Sequence, residues 1–305
     1  MTSTADDSIL SQLDESRRQF LALVNDVRPD LHRYCARMTG SIPDGEDVVQ
    51  DTLARAYYEL SELEELPAMR SWLFRIAHNR ALDYLRRYER RMGEPLEAAA
   101  EIAADNTAEP DIALTRQEAE RGAISQFLEL APAQRSCVIL KDVLDYSLEE
   151  ITAMLEMSLS AVKAALHRGR TRLRELSKVP SPAEPRRAKS PALVRYAALS
   201  MPATGMVFRA ILVDEVKLDL VSRWKATGRR QVSTYFTNYD SVTDWHLVPG
   251  WLDSREILAV LREPRVPRPT YFIELRLVDD GRVAAIRDFR YVPYIAYEAE
   301  IEFES

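Results

Sequence analysis

Residues 146–174 read YSLEEITAMLEMSLSAVKAALHRGRTRLR, and this stretch decides how the middle of the chain folds. Ser147 followed by Glu150 has the spacing of a capping box and predicts a helix start. Ser158 is a second N-cap candidate, which leaves only a short turn around Glu156 and Met157 between two helices. Apolar side chains at helical spacing predict the buried face of each helix, namely Leu148, Ile151 and Leu155, then Val162, Leu166 and Leu173.

The second helix of this pair is strongly basic, with five basic residues from Lys163 to Arg174 against the single acid Glu175. The major groove of DNA admits one helix, whose early residues reach base edges and whose basic residues reach phosphates. A solvated basic helix is the alternative, but two consecutive capped helices favour a DNA-binding helix-turn-helix. Its predicted DNA-facing residues are Ser160, Ala161, Lys163, Ala164, His167, Arg168 and Arg170, where His167 is either a phosphate contact or a solvated histidine.

Charges are segregated along the chain, although the formal net charge is −7. The segment from Asp44 to Glu65 contains eight acidic residues and one basic residue. The segment from Arg70 to Arg91 contains seven basic residues and two acidic ones. Net charge describes only the average field, whereas binding depends on where the charges lie. An acidic helix followed by a basic one therefore predicts two partners of opposite sign.

The helix-turn-helix and the residues before it carry a family motif. Ala131-Pro132, Ser160–Lys163 and Leu166–Arg170 stand at the motif positions of region 4 of extracytoplasmic-function sigma factors, which residues 130–176 resemble. Gly169 stands where the family usually has alanine, a change that costs about 1 kcal/mol at an exposed helix position. The resemblance implies that the basic helix contacts the −35 promoter element.

The acidic segment resembles a second part of the same family. Residues 44–60 predict an amphipathic helix on which Asp47 and Asp51 share one exposed face. A solvated acidic face is the usual explanation of such a run. However, residues 46–52 resemble region 2.2, which docks on the clamp helices of the largest polymerase subunit. The resemblance implies that Asp47, Gln50 and Asp51 bind core polymerase.

Residues 69–91 resemble regions 2.3 and 2.4 of the family, which contact the −10 element. In the family, the preceding loop, here residues 61–67, captures a flipped base; its sequence here is acidic and not diagnostic. Trp72, Phe74, Tyr57 and Tyr58 are candidate stacking surfaces for unpaired bases, although core packing is favoured for Trp72. The predicted −10 contacts are Arg75, Asn79, Arg80, Asp83, Arg86 and Arg87.

The pattern changes after residue 191, where short alternating segments and a turn at Asp279-Asp280-Gly281 predict strands and a hairpin. This part resembles a SnoaL-like, NTF2-type domain, a curved sheet wrapped around helices. Candidate pocket residues are Asp219, Trp224, His246, Trp251 and Asp288. No acid/base pair among them has diagnostic spacing, so a regulatory or binding domain is favoured over an enzyme.

We therefore expect a multidomain chain with all-α region 2 and region 4 domains followed by an α+β NTF2-like domain. The predicted ranges are 16–91 for region 2, 92–117 for an acidic linker, 118–178 for region 4, 179–191 for a proline-rich linker and 192–305 for the last domain. Cys35 and Cys137 lack metal-ligand spacing, so we expect two unrelated buried thiols and no metal or cofactor.

The expected function is that of a cytoplasmic promoter-specificity subunit that is not itself an enzyme. Its expected partners are core RNA polymerase, through the clamp helices and the flap, and promoter DNA, with no membrane contact. The last domain is expected to regulate activity in cis, and a small ligand or an anti-sigma partner stays open. The alternative is a ligand-sensing helix-turn-helix regulator, which gives no reason for an acidic helix followed by one rich in tryptophan and arginine.

Overall fold

The computed structural model describes residues 3–60, 68–92, 124–178, 188–199, 210–237, 246–262 and 268–303. The chain divides into two compact units, Met1–Ser181 and Pro182–Ser305. Within the described ranges, no helix combines the length and apolar composition that crossing a membrane requires. The predicted base-capturing loop, nearly all of the acidic linker and much of the proline-rich linker lie outside the described residues.

The described part of the first unit is helical, as the sequence predicts. A 3₁₀ turn at Ile124–Glu129 precedes the helix Pro132–Val138, and a π turn at Ile139–Val143 follows that helix. The α-helices are α1 at Ser3–Thr39, α2 at Ile42–Leu60, α3 at Met69–Met92, α4 at Pro132–Val138, α5 at Leu148–Leu155 and α6 at Leu159–Ser177.

One hydrophobic core joins the helices of this unit, with buried side chains from Phe20 to Leu173 in a single cluster. Gly45 sets how closely α1 and α2 cross, because a Cβ atom there would lie 2.6 Å from the Cα of Ala36. Both cysteines are buried, as predicted. Burial raises the pKa of the Cys137 thiol to about 12, so it remains protonated at neutral pH.

The second unit is a seven-stranded sheet with helices, which confirms the predicted α+β class. The strand order is β2-β1-β6-β5-β4-β3-β7, and only the β1–β6 pair is parallel among the described strands. The elements are α7 at Pro191–Leu199, β1 at Leu212–Leu220, β2 at Trp224–Thr227, α8 at Arg229–Thr237, β3 at His246–Leu252, β4 at Arg255–Leu261, β5 at Tyr271–Leu277, β6 at Val283–Asp288, α9 at Tyr294–Glu298 and β7 at Glu302–Phe303.

Local turn chemistry explains the predicted hairpin. β5 and β6 pair antiparallel, and Gly281 between them has a φ of 78°, in the left-handed region that favours glycine. Asp280 accepts hydrogen bonds from the backbone N–H and the side chain of Arg282, and these bonds hold the pKa of its carboxyl below the usual value. The hairpin at residues 279–281 is therefore confirmed, and the architecture of the unit is consistent with an NTF2-like domain.

Two of the candidate pocket residues of this unit, Asp219 and Asp288, lie on opposite faces of the sheet. Leu220 of β1 pairs with Asp288 of β6, so Asp288 lies on the same face as Leu220, whereas Asp219 lies on the opposite face because side chains alternate along a strand. Asp288 is buried and accepts a hydrogen bond from the Tyr235 hydroxyl at 2.6 Å. The carboxylate of Asp219 pairs instead with Lys225 at 3.1 Å. A pocket lined by both acids was therefore a wrong expectation.

Candidate nucleic-acid interface

The helix-turn-helix has the two capped helices that the sequence predicts. Ser147 and Glu150 form a reciprocal capping box at the start of α5, and these bonds lower the pKa of the Glu150 carboxyl. Glu156, the C-cap residue that follows α5, has a left-handed backbone (φ 55°) that turns the chain toward α6. The Ser158 side chain accepts a hydrogen bond from the Ala161 N–H at 3.2 Å and caps α6. The turn therefore fixes where the basic helix begins.

The structure places most of the predicted −35 residues on the accessible face of α6. Ser160, Lys163, His167 and Arg168 are exposed, and Ala161 and Ala164 are half-buried. The small side chains between basic ones leave room for the backbone of the helix to approach a groove. This face can make both phosphate contacts and base-edge contacts.

Arg170 is a correction to the predicted −35 set, because its side chain is only 8% exposed. Its Nε and Nη2 atoms donate to the two carboxylate oxygens of Asp142 at 3.0 and 2.7 Å. The guanidinium is thus fixed inside the unit and does not lie on the exposed face of α6. The neighbouring Gly169 is buried too, and a Cβ there would lie 2.7 Å from a methyl group of Val138.

The α3 helix presents a basic surface that is partly organised by internal pairing. Asn79, Arg86 and Arg87 are exposed, whereas Arg75, Arg80 and Asp83 are half-buried. Asp83 lies between two arginines, 3.4 Å from Nη1 of Arg86 and 3.9 Å from Nη1 of Arg80. Nη1 of Arg75 lies 3.1 Å from Oε1 of Glu156, at the end of α5. Asp83 is therefore placed to orient arginines, and Arg75 also contacts the helix-turn-helix.

The aromatic candidates divide into core and surface. Phe74 is 1% exposed and packs edge-on against Tyr34 and Tyr146, with ring centroids 5.7 and 5.2 Å away, so a base-stacking role for Phe74 was wrong. Trp72 is buried, which confirms the core packing favoured for it. Tyr57 and Tyr58 on α2 are exposed. Only these two of the four could meet an external partner.

A buried polar seam joins α1 and α3 to α4, and sequence patterns do not reveal it. The Tyr34 hydroxyl lies 2.8 Å from Nδ1 of His78 and donates to Oγ of Ser136 at 3.1 Å. Ser136 Oγ is also 3.1 Å from Nδ1 of His78. Nη1 of Arg135 donates to the Met38 carbonyl at 2.5 Å. The seam therefore packs α4 against α1 and α3 within one unit.

We predict that the stability of this unit falls as the solution is acidified because of His78. Burial lowers the pKa of His78 to about 4, so the folded state disfavours the proton that the unfolded chain accepts near pH 6.5. The stabilisation is complete above pH 6.5 and is lost as pH falls toward 4, by about 2–3 kcal/mol. Urea unfolding at pH 7 and pH 4.5 measures it. The difference in the free energy of unfolding between the two pH values should be smaller for His78→Gln than for the unmodified chain. An unchanged pH dependence in that variant would mean that His78 is not the group responsible.

The α2 helix carries the predicted docking residues on its exposed side. Asp47 and Asp51 are exposed, and Gln50 is half-buried, with its amide nitrogen buried and without a hydrogen-bond partner among the described residues. Glu46 points the other way, is fully buried and pairs with Arg28 at 2.5 Å. The family-like acidic motif thus splits into one structural carboxylate and two surface carboxylates.

Two family models match the chain: Sigma-70 region 2 over residues 23–91 and Sigma-70, region 4 over residues 124–173. The RNA polymerase sigma-E factor of Streptomyces coelicolor is 33% identical over 159 residues, which cover 52% of this chain and 85% of that protein. The ECF RNA polymerase sigma factor SigM of Mycobacterium tuberculosis is 32% identical over 146 residues, covering 48% and 70%.

The chain belongs to the extracytoplasmic-function group of the sigma-70 family. Both matched regions of this sigma factor lie within the first unit: region 2 matches from within α1 through α3, and region 4 matches from the 3₁₀ turn into α6. The ECF RNA polymerase sigma factor SigG of Mycobacterium tuberculosis is 32% identical over 191 residues, 55% of this chain. The chain spans about half of SigG, 51% of its length.

Proposed function

We propose that this sigma factor binds core RNA polymerase through the exposed acidic face of α2 and directs it to promoters. In this proposal α3 contacts the −10 element through Arg75, Asn79, Arg80, Asp83, Arg86 and Arg87. The −35 element is contacted by α6 through Ser160, Ala161, Lys163, Ala164, His167 and Arg168. The protein then acts as a specificity subunit at cytoplasmic promoters and not as an enzyme.

The observation that carries the proposal is the presence of two exposed surfaces of opposite charge on one helical unit. Asp47 and Asp51 give α2 a negative face, whereas Lys163 and Arg168 give α6 a positive one. DNA repels the first surface and attracts the second. The acidic face of α2 therefore fits a partner with a basic surface, and a helix-turn-helix regulator that binds DNA alone would leave that face to solvent.

The docking proposal predicts that Asp47→Lys combined with Asp51→Lys weakens binding to core polymerase by about a hundredfold or more, because attraction becomes repulsion. Both carboxylates are exposed, so the helical fold should be retained. The measurement is a titration of full-length protein with core polymerase, with circular dichroism as the check on folding.

A matched control is Glu215→Lys with Glu300→Lys, which changes the net charge equally on exposed positions of the second unit. This control should bind core like the unmodified chain and support promoter-dependent run-off transcription. If the α2 variant is folded and keeps its core affinity, the docking role of α2 is wrong. If core affinity is lost in both variants, total charge rather than the α2 face controls binding.

A further inference from the structure

Within the first unit, the part of the chain that matches region 4 packs directly against the part that matches region 2. The buried ring of Tyr146, just before α5, lies edge-on to Phe74 of α3 with ring centroids 5.2 Å apart. The Tyr146 hydroxyl accepts a hydrogen bond from Nη1 of Arg70 at 3.2 Å. The Tyr34 hydroxyl of α1 donates to Oγ of Ser136 in α4 at 3.1 Å. These five residues form what we call the closed interface.

The closed interface brings the two proposed DNA-binding helices close together. Nη1 of Arg75, one of the proposed −10 contacts on α3, lies 3.1 Å from Oε1 of Glu156. The α6 helix, proposed for the −35 element, begins at Leu159, three positions after Glu156. Three steps of chain span at most about 11 Å, and the two side chains in contact add about 15 Å. The Cα atom of Arg75 and the start of α6 therefore lie within about 30 Å of each other.

Promoter DNA separates the two elements much further than this. The −35 and −10 elements are named for their positions and lie about 25 base pairs apart, which is about 85 Å at 3.4 Å per base pair. This length is far below the DNA persistence length of about 150 base pairs, so the duplex between the elements stays nearly straight. One molecule therefore cannot place α3 on one element and α6 on the other while the closed interface is intact.

We propose that the packed first unit is an autoinhibited state of this sigma factor, in which the closed interface prevents simultaneous contact with both promoter elements. Core polymerase binds the open state, in which α3 and α6 are apart. The affinity of the free chain for core is then reduced in proportion to the fraction of open molecules. This inference rests on the proposed docking and DNA-binding roles.

Tyr146→Phe in the full-length chain tests the closed interface with little disturbance of the fold. The substitution keeps the ring against Phe74 and removes only the hydroxyl that Arg70 reaches, while Arg70 keeps its pairs with Asp26 and Asp30. Loss of one such hydrogen bond shifts the equilibrium about fivefold toward the open state. The variant should therefore bind core polymerase about fivefold more tightly than the unmodified chain, as measured by titration.

Glu156→Gln removes a second contact between α3 and the helix-turn-helix, at an exposed position where the fold should tolerate the change. Because the ion pair with Arg75 is exposed, this substitution alone should tighten core binding about twofold, and the double variant with Tyr146→Phe about tenfold. Glu149→Gln is the matched control, since it removes the same charge from an exposed position of α5 outside the closed interface. Its core affinity should equal that of the unmodified chain.

The opening itself can be measured as a distance between two labels. Leu21→Cys on α1 and Ser177→Cys on α6 introduce thiols at exposed positions, whereas Cys35 and Cys137 are buried. The free chain should give a short distance between the labels. The complex with core polymerase and promoter DNA should give a distance longer by several tens of ångströms.

Two results would overturn the autoinhibited state and leave the proposed function standing. The first is core affinity of the folded Tyr146→Phe and Glu156→Gln variants no higher than that of the unmodified chain, with circular dichroism as the check on folding. The second is an unchanged label distance in a complex that transcribes from the promoter. If the unmodified chain does not bind core polymerase at all, the proposed function is wrong, and the inference that rests on it is wrong with it.

Discussion

The substitution Arg170→Ala is expected to lower the free energy of unfolding of the first unit by about 3–5 kcal/mol, because it breaks a buried ion pair. Arg170 and Asp142 are only 8% and 5% exposed, and two hydrogen bonds of 3.0 and 2.7 Å join them. Removing the guanidinium leaves a buried carboxylate without its countercharge. Replacing both partners, with Arg170→Met and Asp142→Leu, should cost much less, since no charge is then left buried.

Arg168 provides the matched comparison on the same helix, two residues before Arg170. It is exposed, so Arg168→Ala should change stability by no more than about 0.5 kcal/mol. It should instead weaken holoenzyme binding to −35 DNA and reduce the salt slope by about one, the contribution of one phosphate contact. Urea unfolding and DNA binding over a series of salt concentrations measure the two effects.

Results opposite to these for either variant would contradict the orientation of α6, in which Arg170 is buried and Arg168 is exposed. A stable Arg170→Ala variant with weakened DNA binding would put Arg170 on the DNA-facing surface, as its position in the basic helix first suggests. An Arg168→Ala variant with unchanged affinity and salt slope would mean that the exposed face of α6 points away from the −35 element. Each substitution therefore tests the helix orientation independently.

Local signals in the sequence predict those parts of the fold that depend on neighbouring residues. The capping box at Ser147 and Glu150 and the turn at Gly281 are confirmed because their partners lie within a few positions along the chain. The helical class of the first unit and the α+β class of the second follow in the same way from hydrophobic periodicity. These signals also place Asp47 and Asp51 on one exposed face of α2.

Partners that are distant in sequence could not be predicted. Helical spacing says that Arg170 shares a face with other residues, but not that Asp142, 28 residues earlier, covers that face. From the sequence, Phe74 is a candidate for stacking on bases, but in the structure its ring packs against Tyr34 and Tyr146. Among the pocket candidates, only strand register reveals that Asp219 and Asp288 lie on opposite faces. Contacts between residues distant in sequence therefore bury side chains that the sequence alone suggests as functional.

Arg135 shows the strongest effect of this kind, since its side chain is fully buried although it is charged. Its guanidinium donates to three backbone carbonyls, those of Met38 at 2.5 Å, Leu130 at 2.9 Å and Leu128 at 3.0 Å. Met38 lies in the last turn of α1, where carbonyls lack intrahelical partners. Burial lowers the pKa of Arg135 to about 10, so it remains charged at neutral pH.

Arg135→Met should therefore destabilise the first unit by about 3–5 kcal/mol, because it fills the volume but leaves buried carbonyls without donors. Arg135→Lys should recover only part of this loss, since a single ammonium cannot reproduce the planar fork. Arg172→Met is the control: that arginine is 47% exposed and its pairs with Glu129 and Glu175 are 3.6 Å long, so it should cost at most about 1 kcal/mol.

The measurement needs a signal from the first unit alone, because the two units can unfold separately. Trp72 supplies it, as the one tryptophan in residues 1–181, and its buried indole gives a distinct NMR signal that can be followed through a urea titration of the full chain. A loss below about 1 kcal/mol for Arg135→Met would contradict the structural role, since the buried carbonyls of Met38 and Leu130 would both lose this donor. A loss confined to signals of the second unit would place the effect of Arg135 outside α1 and α4.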